Sequence, residues 1–399
     1  MMRTKWCRWG VVLACAWPAA AAAQENAADP QAFSLAPVGY VQFDVRTFPD
    51  WEVTPGSGRL DRDSVEVRRL RAGLDGRWKK LSFEFSVDPL DEDDTFVKDA
   101  FIDLRLSGRQ RIRGGQFKLP GSREYGISAR RGEFLERSAL ASQLAAGRDV
   151  GLMFAGRRGN VAYEAGVFAG DGQGRRDRAG TTAAARVGWE PLAGLEVGAY
   201  GSVGETTAVD TDAENGLDGR APSGYRFFDG LYVQGRRLRF GGDVEWTEGP
   251  WRIAAEALRV TDERREQGVD FDDLPSVVGN SVTVTGSRRF GRPRDAAADP
   301  STLGRTARWP WQVALRFEHV AFDDDGPRTG RDSVRPRASD VRARGLDAFT
   351  GGLSYQATRW LRLTGEAGVE RYADARSAPD PGRAGNYFTA GLRLQFEFP

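Results

Sequence analysis

The closing stretch, Asn386–Pro399, alternates apolar and polar side chains to the end of the chain. Phe388, Ala390, Leu392, Leu394, Phe396 and Phe398 share one face of an extended strand, and Thr389, Gly391, Arg393, Gln395 and Glu397 share the other. A strand of strict period two has one greasy face and one wet face. With aromatics at its tip, this pattern predicts the last strand of a bacterial outer-membrane barrel, the strand that closes the sheet. The competing reading is the edge strand of a soluble sandwich, and the upstream sequence argues against it.

Residues 1–23 read as a secretory signal: Arg3, Lys5 and Arg8 precede a short apolar run from Trp9 to Trp17, then Ala21-Ala22-Ala23 offers a cleavage site. The run is too short to span a bilayer as a helix. Val12-Leu13-Ala14-Cys15 loosely resembles a lipoprotein box, but cleavage there would leave almost no hydrophobic core before it. Both cysteines, Cys7 and Cys15, fall in the removed part, so the mature chain is expected to carry no thiol. Residues 24–37 are expected to form a short periplasmic segment and 38–399 the barrel.

Mean hydropathy is −0.49, and no stretch could cross a membrane as a helix. Yet 11 Trp and 22 Phe are spread along the whole chain. A polar average with regularly placed aromatics suits strands that face lipid on one side and water on the other. The chain carries a net charge of +1, so removing the three signal cations leaves −2. Basic residues are interleaved with acids rather than clustered, which argues against nucleic-acid binding.

Alternation predicts an all-β, sixteen-stranded antiparallel transmembrane barrel. The strands are expected near 38–47, 65–76, 79–88, 96–106, 109–118, 149–158, 160–169, 180–190, 193–204, 231–247, 251–261, 277–289, 310–322, 345–356, 359–372 and 385–398. Short turns alternate with long polar stretches, the usual asymmetry between periplasmic and outer ends. The Pro- and Asp-rich stretch 290–309 breaks this rhythm: either it is a long periplasmic turn or one strand is miscounted. Two strands break phase. In the second, Val65 and Val67 share a parity with Arg69 and Arg71 rather than with Leu70 and Leu74. In the fifth, Arg111 and Arg113 share a parity with Phe117, and a bulge at Gly114-Gly115 would turn both arginines, Gln116 and Lys118 inward.

Several stretches resemble the phosphate-selective porin O/P family. They are Arg68–Gly76, Val97–Ile102, Gly115–Pro120, Phe134–Ser138, Arg148–Gly151 and Tyr163–Gly170, in matching order and spacing. Val284-Thr285-Gly286 and the strand–turn–strand from Leu346 to Leu363 are similar in outline. The resemblance implies an outer-membrane porin, usually a homotrimer, in which the third outer loop (here 119–148) folds inward to narrow the pore. It also implies anion binding by arginines along the lumen and lysines near the mouth. The arginines can be matched; of lysines only Lys79, Lys80, Lys98 and Lys118 remain.

Arginine dominates, since the 57 basic residues include only five lysines. Its planar donor pairs suit phosphate and carboxylate, and it stays charged at any relevant pH. Strand phase places Arg69, Arg71, Arg105, Arg111, Arg113, Arg186, Arg237, Arg239, Arg252, Arg316, Arg362 and Arg393 on the lumen face. The candidate pore-lining and anion-binding set is Arg69, Arg71, Arg105, Arg111, Arg113, Lys118, Arg130, Arg131, Arg137 and Arg316. The same counting turns Glu84, Asp99, Asp103, Glu164, Asp243, Glu245, Glu256, Glu318 and Glu366 inward, so a balanced wall is the rival reading. His319, the single histidine, falls on the lipid side, and no spacing with Ser281 or Ser354 suggests a catalytic triad. Asp91–Asp94 and Asp323–Asp325 lack the spacing of a calcium loop, and Gly170–Gly174 reads as a turn. No cofactor, metal or enzymatic activity is therefore expected. The expected function is passive diffusion of small anions, phosphate or polyphosphate among them. Partners would be outer-membrane lipid and the barrel assembly machinery. The alternatives are a general non-selective porin and a surface receptor or adhesion scaffold.

Overall fold

A computed structural model describes residues 33–48, 64–90, 96–106, 109–170, 180–206, 216–228, 231, 233–291, 309–326, 341, 344–373, 378–379 and 385–398. The expected signal, both cysteines and nearly all of 290–309 lie outside these residues. Chain order gives β1 (Ser34–Thr47), β2 (Ser64–Trp78), β3 (Leu81–Val87), β4 (Val97–Arg105), β5 (Arg111–Lys118) and a helical turn α1 (Arg123–Gly126). Then come β6 (Arg148–Arg158), β7 (Val161–Ala169), β8 (Thr181–Leu192), β9 (Leu195–Thr206) and a small hairpin, β10 (Gly219–Arg220) with β11 (Arg226–Phe228). The chain continues with β12 (Gly235–Glu248), β13 (Trp251–Arg264), β14 (Leu274–Phe290) and β15 (Trp311–Asp324). It closes with β16 (Arg344–Gln356), β17 (Leu361–Tyr372) and β18 (Gly385–Phe398).

All these strands except β10 and β11 form one closed antiparallel ring of sixteen, in which β18 pairs with β1 from Gly39↔Phe398 to Thr47↔Ala390. Closure leaves no strand edge, as a structure in lipid requires. The first strand starts at Ser34 rather than 38. The alternation that betrayed the strands is the alternation of exposure: Phe388, Leu392, Phe396 and Phe398 are exposed while Tyr387, Arg393 and Gln395 are buried inside. Tight turns at one end need left-handed backbone, supplied by Gly159 (φ 57°), Gly194 (φ 81°), Gly249 (φ 53°) and, at a residue with a side chain, Lys79 (φ 54°).

The two phase breaks resolve differently. In β2 the pairing steps from Gln42↔Arg69 to Phe43↔Val67, leaving Arg68 as an extra residue. That bulge turns Val65, Val67, Leu70 and Leu74 outward together and lets Arg69 and Arg71 face in. No bulge exists at Gly114-Gly115, contrary to expectation. Both ladders of β5 run unshifted, and Phe117 shares the inward face with Arg113. Gly115 is there because the strands approach closely: at φ 128°, an added Cβ would collide with the Ala100 carbonyl oxygen. Gln116 stands opposite Ala100 and Val150 on the outward side.

Among the described residues the interior holds two apolar bodies. The smaller packs Phe117 between Phe101 and Phe168, with Met153 alongside. The larger joins Leu140 and Leu144 to hairpin residues Leu217, Tyr225, Phe227 and Phe228, against Val320, Phe322, Leu346, Tyr372 and Tyr387 of the wall. The hairpin lies in the stretch 205–230, which the sequence offered only as a long polar connection.

Candidate functional site

The inward arginines are mostly paired with inward acids. Arg237 and Asp262, both fully buried, meet at 2.6 Å. Arg186 reaches Asp243 at 2.7 Å, Arg393 reaches Asp44 at 2.6 Å, and Arg148 reaches Asp99 at 3.1 Å. Arg113 makes a two-pronged contact with Asp103, at 2.8 and 2.7 Å, and lies 3.7 Å over the Phe101 ring. Each pair has surrendered much of its hydration, so removing one partner would cost more than the pair itself contributes.

Segment 119–148, between β5 and β6, is bound to wall strands around much of the ring. Its Glu136 carboxylate accepts from Arg46 (2.7 Å), Arg68 (2.8 Å) and Arg69 (2.6 Å), with Arg393 at 3.4 Å, on β1, β2 and β18. Arg123 does the converse on β9 and β12, donating to Glu245 at 2.8 Å and contacting Glu196 at 2.9 Å. The amides of Arg123 and Glu124 donate to Glu256 of β13 at 3.0 and 3.1 Å. Between them, Glu133 accepts from Arg252, Ser287 and Gln312 at 2.8, 2.7 and 2.6 Å. The Leu135 and Ala139 amides donate to Glu366 and Glu318 at 2.8 and 2.7 Å. Since β1 and β9 lie eight strands apart in the ring, one end of the segment answers a basic wall and the other end the acidic wall facing it. Swapping the ends would set like charges together, so the docking has one orientation.

Burial alone would favour neutral Glu136, but Arg69, Arg68, Arg46 and Arg393 override it and hold the carboxyl well below the usual carboxylate range. The stabilisation is therefore complete above the ordinary glutamate value near ~4.3 and is lost only as pH falls through the depressed folded value. The Glu136 contacts should accordingly hold from neutral pH down to about pH 4. Glu136→Gln leaves four guanidiniums around a neutral amide, costing on the order of 3 kcal/mol, and should give noisy, partly opened channels at pH 7. Quiet wild-type-like traces from the variant would contradict the clasp.

The candidate residues divide by what holds them. Arg69 joins Glu136 and Gln42, and Arg111 reaches Glu164 at 3.4 Å. Arg316 pairs with Glu318 at 2.6 Å and lies over the Phe134 ring at 4.4 Å. Lys118 donates only to backbone carbonyls, of Tyr125, Gly126 and Ile127, at 2.6 to 3.2 Å. Arg137 donates to the Ile127 carbonyl and lies over the Tyr125 ring, while Arg71 lies over the Tyr40 ring with its Nε unpartnered. Arg131 is exposed, and the Arg130 carbonyl accepts from Gln395. Arg105 is exposed at the short-turn end of β4 and is not drawn into the group. The sequence reading missed Arg46, Arg68 and Glu136 as one cluster. Alternation could have placed Arg46 with Asp44, but Arg68 turns in only through an unforeseen bulge.

Two water-accessible spaces flank the segment. One of about 950 Å³ is lined by Arg69, Arg131, Glu133, Glu196 and Arg252. Another of about 440 Å³ lies against β2–β9 and is lined by Arg71, Glu84, Asp99, Arg113, Lys118 and Glu164. His319, at the outer surface, bonds Asp347 at 2.7 Å; Ser281 donates to the His319 carbonyl and Ser354 exchanges a bond with Thr364. No triad assembles among the described residues.

A sequence profile described as phosphate-selective porin O and P matches residues 39–398. The chain belongs to this family. The porin is a bacterial outer-membrane protein, and its family and barrel imply a channel rather than an enzyme. Comparison with curated proteins gives no sequence match. Among solved structures it is similar to trimeric OmpT of Vibrio cholerae (12% identity, TM-score 0.59, covering 92% of this chain and 100% of that one). The anion-selective porin of Comamonas acidovorans aligns at 13% identity and TM-score 0.57, covering 92% and 100%. The channel DcaP of Acinetobacter baumannii aligns at 14% and 0.55, covering 92% and 97%. At these identities the likeness is one of fold.

Proposed function

We propose that this porin passes small anions such as phosphate by diffusion past the arginine-bearing wall, with segment 119–148 inside the lumen as its constriction. Inward placement is supported by the segment's contacts with facing walls of a closed ring. The observation that carries the anion preference is how the unpaired charges are placed. Lys118, Arg137 and Arg71 are half-buried and held by carbonyls or rings, and none of them forms an ion pair with a carboxylate among the described residues. Of the acids that form no ion pair, Glu256 accepts from Tyr200 and two amides and Glu370 accepts from Ser223 and Tyr372, both shut away, which leaves Glu84 as the one such acid bordering the same space as Arg71 and Lys118 among the residues named for it. In a narrow pore a few local charges outweigh a distant net charge of the other sign.

The test replaces Arg69, Arg71, Arg111 and Arg113 by glutamine. Asp103 and Glu164 lose their partners, so the reversal potential should move to cation preference and any block by phosphate should vanish. An unchanged potential in a folded variant would sink the proposal. A general porin is the second reading, favoured by the many arginine–carboxylate pairs; it requires phosphate block to be absent from the start.

The chain is further proposed to work as a homotrimer, as the Vibrio cholerae relative does in its trimer form. Strands β3, β4 and β5 have 7, 9 and 8 residues. A tilted strand of seven rises only about 16 Å along the barrel axis, less than an apolar band of ~25 Å. That low stretch of wall suits contact with another copy better than contact with lipid.

A further inference from the structure

We infer that solutes cross the outer half of this barrel along one side only, beside β2–β9, because the hairpin seals the other side as a dry plug. The position of the route holds whichever ion passes, so it stands apart from the proposed selectivity.

The plug is built from aromatic contacts. Phe228 stacks flat on Phe322, centroids 4.5 Å apart and planes 4° apart. Phe227 and Tyr225 both meet Tyr372, at 6.1 and 5.6 Å, and Tyr372 meets Tyr387 at 5.5 Å. These partners belong to the inner face. In the ladder Val320, Leu346 and Tyr372 form one row, and the row of opposite phase, Phe317, Phe349 and Val369, turns toward lipid, with Phe349 61% exposed. Polar contacts fix the tip: the Ser223 amide and hydroxyl donate to Glu370 at 2.7 and 2.9 Å, and the Tyr225 hydroxyl donates to the Ala378 carbonyl at 2.9 Å. Leu144 of segment 119–148 and Leu217 of the hairpin region both crowd Gly279 of β14, so the two insertions form one body.

Aromatic rings packed at these distances leave no route along β14–β18 among the described residues. On the other side the lining is charged and wet: Arg71, Glu84, Asp99, Arg113, Lys118 and Glu164 border the space against β2–β9. Specificity for whatever crosses is therefore set on that wall, and the hairpin determines it by exclusion, without touching the solute.

Cysteine placement reads the route directly, since the mature chain is expected to lack thiols. Purified barrels carrying Arg71→Cys, Lys118→Cys or Leu346→Cys are treated with a small uncharged methanethiosulfonate and followed by intact mass, a readout indifferent to ion selectivity. Arg71→Cys and Lys118→Cys, which line the space farther from the short turns, should label rapidly. Leu346→Cys should label at least about a hundredfold more slowly, as expected of a site reached only through local opening. Replacing residues 216–228 by a short Gly-Ser linker should bring Leu346→Cys up to the rate of the other two. If that deletion does not fold, Ser223→Ala with Phe228→Ala should raise the rate by loosening the tip. Equal labelling of Leu346→Cys and Lys118→Cys in the intact barrel would overturn the one-sided route, as would a slow Leu346→Cys once the hairpin is gone.

Discussion

Deleting residues 124–144 should raise single-channel conductance severalfold and weaken ion selectivity. The segment carries Glu136 and Glu133, removing contacts with Arg46, Arg68, Arg69 and Arg252 on the wall. It also carries Leu140 and Leu144, half of the contact with the hairpin. Water would fill the vacated space, and exposed wall charges more than about 8–10 Å from a passing ion would be screened at physiological salt. The basic wall near β1 and the acidic wall near β9 would be uncovered together, so their opposite fields largely cancel at the pore centre. Conductance equal to wild type in a correctly folded barrel would place the segment outside the ion path.

The largest effect on assembly is expected from removing Phe396–Pro399. That truncation takes away the pairing of Phe396, Glu397 and Phe398 with Val41, Tyr40 and Gly39, where the ring closes. It also removes the edge-on contact of Phe396 with Phe43 and two lipid-facing aromatics at the rim. Unpaired amides at an opened seam have no water to turn to inside a bilayer, and each costs several kcal/mol. Heat-modifiable folded barrel should disappear. Deleting Pro399 alone removes no ladder donor, because proline has none, and should leave folded yield unchanged. Normal yield from the longer truncation would show that closure does not depend on this tip.

The barrel was legible because a lipid-facing wall imposes period two on every strand, and residues such as Leu81–Val87 or Val313–Phe317 obey it plainly. The wall charges were legible for the same reason: Arg186, Arg252 and Arg393 face inward as their parity demands. What parity cannot carry is partnership across the lumen. Glu136 lies in an irregular segment, and its four arginines come from three strands, one of them turned in by the bulge at Arg68. The glycine pair in β5 misled for a related reason. A glycine can relieve a close approach without shifting the ladder, and Gly115 does so against Ala100. The hairpin was illegible because its apolar residues, Leu217, Tyr225, Phe227 and Phe228, are too few and too irregular to show a period. They find their partners only once the wall has closed around them.

The most direct measurement is the zero-current potential of the purified wild-type porin in a planar bilayer under a potassium chloride gradient. With the expected signal removed the net charge would be −2, which would favour potassium if bulk charge decided. Anion preference follows instead if Arg71, Lys118 and Arg137 outweigh Glu84, the acid without an ion pair that borders the same space. The potential should then take the sign of chloride permeation, and added phosphate should reduce the chloride current. A potential of the opposite sign, with potassium preferred, would contradict the anion route.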